Sequence, residues 1–257
     1  MLSKGLIKLV NSLDNKKYRQ IHKLFIAEGT KLVNDLIKLE APIKTIISTS
    51  NIERCNQSIE YIQCNSWELE KISFLKTSPE IIALVDIIEN DFNINDLPGK
   101  LSIGLDSIQD PGNMGTIIRL ANWFGIENIL CSNDCVDNYN PKVVQASMGA
   151  LIRVKVHYID LPNTINELLK FPDYQINGTF MNGECIYSSN LQSNGLIVMG
   201  NEGKGISEMV ERLVTKRISI PTFSDKFNGA ESLNVGVATG IIISEFTRQI
   251  NINNPRK

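Results

Sequence analysis

The sequence predicts an α/β fold in two units, a small α/β unit first and a larger one built on a parallel sheet. Three observations predict it. Short apolar strands alternate with stretches at helical spacing along most of the 257 residues, the order that yields sheets covered by helices. Leu196-Ile197-Val198-Met199 is continuously apolar, as an interior parallel strand is when both its faces are covered. Three predicted strands, 101–105, 196–199 and 218–220, each run into a loop rich in Gly, Asn or Pro, and open parallel sheets bind ligands at such strand ends. Residues 90–99, with Asn93, Asn95, Asp96, Pro98 and Gly99, have linker composition. The expected division is therefore 1–92, a linker at 93–100, and 101–257.

Composition narrows the function classes. Hydrophobic residues at 42% and charged residues at 21% describe an ordinary soluble chain. No apolar run approaches the roughly 20 residues of a membrane span, and the first residues lack a signal-peptide pattern, so a cytoplasmic protein is expected. Five cysteines at irregular spacing argue for free thiols. Cys131 and Cys135 lack a second pair, His22 and His157 are the only histidines, and no metal is expected. A net charge of −2 does not advertise nucleic-acid binding. Locally, however, Lys4, Lys8, Lys16, Lys17, Arg19, Lys23 and Lys31 outweigh Asp14 and Glu28. That excess fits either an RNA backbone or a solvated helical face.

In the first unit, Leu2, Leu6, Leu9, Val10 and Leu13 have helical spacing with Ser3 as cap. A strand at 24–27, a helix at 29–39, strands at 44–48, 61–63 and 81–87 and a helix at 66–72 complete it. The second unit opens with strand 101–105, a loop containing Pro111, Gly112 and Gly115, and a helix at 116–124. Arg119 sits among Ile117, Ile118, Leu120 and Ala121, where it either finds a partner or faces solvent. The loop lacks G-x-G-x-x-G, which disfavours a dinucleotide oxidoreductase. Strand 129–131 follows, then a helix started by Pro141 and capped by Gly149, strand 153–158, helix 163–170 and strand 174–180. After strand 196–199, Lys204 is not followed by Ser or Thr, so the glycine loop is not a P-loop. Pro221 ends strand 218–220 and Ser232 is expected to cap the last helix. Gly236, Ala238, Thr239 and Gly240 occupy its first turns. Each Gly costs about 1 kcal/mol relative to Ala, so either a ligand or another helix approaches closely.

Three segments jointly resemble the SpoU/TrmH family of RNA ribose 2′-O-methyltransferases, in the SPOUT class. They are Asp110-Pro111-Gly112-Asn113 through Arg119, Val198-Met199-Gly200-Asn201-Glu202-Gly203, and Ile220-Pro221 with Ser232-Leu233-Asn234. The stretch 140–150 also matches. The first unit is similar to the substrate-binding domain that many members carry, through 15–19, 25–29 and 75–77. The resemblance implies a trefoil-knotted domain holding S-adenosyl-L-methionine, and a homodimer with its pocket at the interface. By position it assigns the cofactor to Met199, Gly200, Asn201, Gly203, Ile220, Pro221 and Leu233. It assigns catalysis to Asn113, Arg119, Glu202, Ser232 and Asn234, and RNA contacts to Lys16, Lys17, Arg19, Lys76 and Lys142.

The implied reaction methylates a ribose 2′-hydroxyl of structured RNA, ribosomal before transfer RNA, with a non-catalytic RNA-binding protein on the same fold as the alternative. A guanidinium stays protonated, so Arg119 is expected to hold a phosphate and stabilise charge on the 2′-oxygen rather than act as base. The loop 222–231 looks longer than in other members, and Gly236 stands where many have Ser.

Overall fold

The computed structural model describes residues 1–50, 58–223 and 232–253. The chain forms two units, Met1–Glu89 with Asp137–Ile152, and Asn90–Val136 with Arg153–Lys257. Two differences from the expected division follow. The stretch 93–100 belongs to the second unit, as a 3₁₀ turn at Ile94–Asp96 that buries Leu97. Residues 137–152 belong to the first unit.

Unit 1 begins with α1 (Lys4–Ser12), capped by Ser3 through the amide of Leu6, and α2 (Lys16–His22). It continues with β1 (Leu24–Glu28), α3 (Thr30–Lys38), β2 (Ile43–Ser48), β3 (Glu60–Gln63), α4 (Ser66–Glu70) and β4 (Ile81–Asp86). The sheet order is β1-β4-β2-β3, antiparallel except for the β2–β3 pair. Every residue of β1 is buried, so the strand needs cover on both faces. Leu24 and Ile26 pack with Val10, Leu13 and Leu69 on one side. On the other, the Phe25 ring lies 4.9 Å from that of Tyr139. This second contact is the physical reason for the return of 137–152: without it β1 would expose an apolar face.

Unit 2 carries β5 (Leu101–Leu105), α5 (Pro111–Phe124) and β6 (Asn128–Ser132), after which the chain supplies α6 (Pro141–Ser147) to unit 1. It resumes with β7 (Lys155–Ile159), α7 (Leu161–Leu168), β8 (Gln175–Cys185), β9 (Gly195–Met199), α8 (Glu208–Glu211), β10 (Lys216–Ser219) and α9 (Val235–Asn253). Six strands in the order β10-β8-β9-β5-β6-β7 form one parallel sheet. Between β5 and β9 the chain's progression reverses direction, which makes that pair the topological switch point.

Several boundaries differ from the sequence reading. Helix α5 starts at Pro111, because Asp110 caps it and Pro111 is preset for a first turn. Left-handed backbone after α6 begins at Met148 (φ 51°), with Gly149 (φ 81°) following. Strand β8 runs on to Cys185, and its pairing with β10 jumps from Arg217–Gly178 to Ile218–Glu184. Ser232 does not cap α9: Asn234 does, its Oδ1 accepting from the amides of Gly236 (3.0 Å) and Val237 (3.2 Å). Of the expected long loop, 224–231 lie outside the described residues.

Candidate active site at the sheet switch point

The loops leaving β5 and β9 are fastened to each other. The Asp106 amide donates to the Met199 carbonyl at 2.9 Å, and the Asp106 carboxylate accepts from the Ser207 amide at 2.7 Å. Ser107 is a non-glycine residue at φ 60°, a backbone region that costs an L-residue energy unless its surroundings hold it. Its amide donates to Ser132 Oγ at 2.8 Å, its hydroxyl to Asp134, and its carbonyl accepts from Asn201 Nδ2 at 2.8 Å. The same hydroxyl donors, Ser107 first and Ser132 second, hold the Asp134 carboxyl below the usual range. Cys135 joins this framework, accepting from the Ile108 amide and donating to the Leu105 carbonyl, each at 3.3 Å.

Asn201 shapes the next loop. Its Oδ1 accepts from the amides of Gly203 and Lys204, both at 3.0 Å, while its backbone pairs with Gly205. Gly200 is required there, since a Cβ would stand 2.3 Å from Gly205 C and Ile206 N. Asn201 and Gly200 thus build the cradle, whereas Gly203 is exposed on its rim.

Across these loops runs a hydrogen-bonded chain. Asp110 caps α5 through the Asn113 amide (2.8 Å), which places the Asn113 side chain at the helix mouth. Asn113 Nδ2 donates to Glu202 Oε1 at 2.7 Å, and Asn113 Oδ1 accepts from Asn234 Nδ2 at 2.9 Å. Chemistry fixes the direction of the chain. The α9 amides can only donate, so Asn234 must turn its oxygen to them and its NH₂ to Asn113. Asn113 must then turn its own NH₂ to Glu202. The second carboxylate oxygen of Glu202 and one N–H on each asparagine make no hydrogen bond among the described residues.

Three of the five expected catalytic residues, Asn113, Glu202 and Asn234, therefore meet. Arg119 and Ser232 are exposed and make no hydrogen bond or ion pair among the described residues. Six residues from Asn113, Arg119 points about 120° away from it around α5. Met199 is buried at the end of β9, Ile220 and Pro221 are half-buried beyond β10, and Leu233 is 52% exposed. Lys16, Lys17, Lys76 and Lys142 are exposed. Arg19 is not available to RNA: it is 2% exposed, bonds Asp137 through Nε (2.9 Å) and Nη2 (2.6 Å), and donates to the carbonyls of Leu13 and Asp14. A guanidinium buried this way is a structural strut.

The set suits S-adenosyl-L-methionine: one carboxylate for a cationic ligand, neutral carboxamides, and the half-exposed apolar Leu233 one residue from Asn234. Sequence reading placed Asp110 in the first motif without giving it a role, and assigned none to Ser107 or Asp134. The Asp-Pro pair at 110–111 is a helix-start signal that was available; nothing local announces the backbone of Ser107.

A parallel sheet with its polar chain at the switch point and a closing helix capped into that chain defines an α/β protein with a strand-end ligand site. The chain belongs to the SpoU rRNA methylase family, whose model matches residues 100–244. An MRM3-like substrate binding domain matches residues 4–83. The chain is 26% identical over 235 residues to the 23S rRNA guanosine 2′-O-methyltransferase RlmP of Bacillus subtilis, covering 90% of this chain and 91% of that one. It is 28% identical over 246 residues to the 23S rRNA guanosine 2′-O-methyltransferase RlmB of Neisseria meningitidis, covering 93% and 91%. A TrmH-family structure from Porphyromonas gingivalis superposes with a TM-score of 0.84 at 32% identity, covering 97% and 99%. An AdoMet-bound rRNA methyltransferase structure from Sinorhizobium meliloti shares the fold, with a TM-score of 0.82 at 24% identity over 97% of each chain.

Proposed function

We propose that this protein transfers the methyl group of S-adenosyl-L-methionine to a ribose 2′-hydroxyl of ribosomal RNA, in the cytoplasm. The observation that carries the reading is the directed chain from the α9 amides through Asn234 and Asn113 to Glu202. Bound at the Gly200–Gly205 cradle, the cofactor supplies an already activated methyl group. Leu233, Ile220 and Pro221 offer the apolar surface for its adenosine. Asn113 and Asn234 offer fixed N–H donors, and Glu202 offers its second oxygen to positive charge. Arg119 holds the RNA phosphate through its guanidinium and stabilises negative charge developing on the 2′-oxygen. The proposed catalytic domain includes the trefoil knot that the family implies.

A homodimer is also part of it. Trp123 on α5 is 82% exposed and Val237 on α9 54% exposed, and the same two helices help to line an open groove of about 490 Å³ formed by Leu120, Phe124, Tyr187, Gly240, Ile241, Ser244 and Glu245. A second copy covering α5 and α9 would bury this surface.

The test is transfer of labelled methyl to ribosomal RNA from cells lacking the protein, followed by mapping of ribose methyls. One new 2′-O-methyl site is expected, and no change on any RNA would sink the proposal. Arg119→Lys should keep near-normal transfer at neutral pH with an unshifted pH profile. Total loss with intact RNA and cofactor binding would instead show that the forked geometry of the guanidinium, and not its charge alone, is required.

A further inference from the structure

Helix α2 is unusual in what it leaves outside. Of its seven residues only Arg19 is buried, so the helix is moored by one cation, with four hydrogen bonds to Asp137, Leu13 and Asp14, and not by an apolar stripe. Its outward arc is nonetheless not simply polar. Tyr18 is 43% exposed and Ile21 59% exposed. Tyr18 and His22, one turn apart, hold their rings nearly parallel, 17° between planes and 6.3 Å between centroids. Lys17 is exposed on the same arc, one turn before Ile21, and Lys16 adjoins it.

We infer that the Tyr18–His22 pair is a stacking platform for an unpaired nucleobase of the RNA substrate, with Lys17 on the adjoining phosphate. The inference rests on the proposed function only in taking RNA as the substrate. Parallel exposed rings flanked by lysine match the two needs of single-stranded RNA, a π-face for the base and a cation for the backbone. A duplex hides its base faces and would gain only the lysine. The other exposed aromatic of this unit, Trp67, is already covered by Lys71 Nζ at 4.3 Å from its ring, which leaves the platform to α2.

The experiment measures binding of the full-length protein to a 12-nucleotide oligouridylate and to a 12-base-pair RNA duplex. Tyr18→Ala should weaken oligouridylate binding about tenfold and leave duplex binding within about twofold. Tyr18→Phe, which keeps the ring, should restore it. Lys17→Gln should reduce the salt dependence of oligouridylate binding by about one counterion. Equal loss on both RNAs, or as large a loss from Trp67→Ala, would overturn the platform. Unchanged melting and unchanged S-adenosyl-L-methionine affinity in Tyr18→Ala would exclude misfolding. Failure of wild-type methyl transfer would remove the proposed reaction while leaving this binding result standing.

Discussion

At the scale of single residues, Asn234 does two things that a substitution can separate. It caps α9 with its oxygen and orients Asn113 with its nitrogen. Asp caps a helix as well as Asn but has no N–H to give. Asn234→Asp should therefore keep its melting temperature within about 2 °C while methyl transfer falls by about 10- to 100-fold; equal losses in both would mean that the cap alone matters. The residues of this hydrogen-bonded chain were legible only through the resemblance of three ordered motifs to the SpoU/TrmH family. Arg19 was not. In sequence it stands beside Lys16 and Lys17 and reads as one more surface cation, and only the fold shows that its guanidinium is consumed by Asp137 and two carbonyls. Ser107 was invisible for a different reason, since its backbone conformation is imposed by two loops distant in the chain.

At the scale of elements, the small residues of α9 have a packing explanation. A Cβ on Gly236 would stand 3.2 Å from Thr116 Cγ2, and one on Gly240 would stand 3.5 Å from both Leu120 methyls, so α9 runs close against α5. The helical pattern announced the closeness but not the neighbour. Because 3.5 Å is an ordinary contact, Gly240→Ala should raise stability by about 1 kcal/mol through helix propensity, read by denaturant unfolding. Gly183→Ala should lower it by roughly 1–3 kcal/mol, since its Cβ would sit 2.5 Å from the Ile218 carbonyl carbon, where β8 and β10 resume pairing. His157 on β7 makes a pH prediction. Its Nε2 lies 3.2 Å from Asn128 Oδ1 and its ring 5.2 Å from that of Phe92; burial first, and Lys155 second, push its pKa below the usual value. The unfolded chain thus takes the proton first as pH falls below about 6.5, and stability present above that pH is lost toward the lower folded pKa. His157→Gln should flatten this fall between pH 7 and pH 5 in urea titrations.

At the scale of the whole molecule, alternating strands and helices indicated the α/β class, the continuously apolar 196–199 the parallel sheet, and three loops rich in Gly, Asn or Pro the candidate strand-end site. The partition was harder, because a linker composition at 90–99 says where the chain is polar, not where it returns. Asp137–Ile152 lies beyond the linker in sequence and inside unit 1 in space. A fragment of residues 1–92 should accordingly fail to melt cooperatively, since breaking a buried pair such as Arg19–Asp137 alone costs about 3–5 kcal/mol. Tethering 137–152 to it by a flexible bridge should restore a transition in circular dichroism. The same return sets a timetable for synthesis. Arg19 is made 118 residues before Asp137, roughly 6 to 24 s earlier at usual translation speeds. Through that interval the strut lacks its carboxylate and the ring of Phe25 lacks the cover of Tyr139. The first unit therefore cannot finish folding when its first 89 residues have been made, and its completion is timed by a segment encoded in the middle of the second.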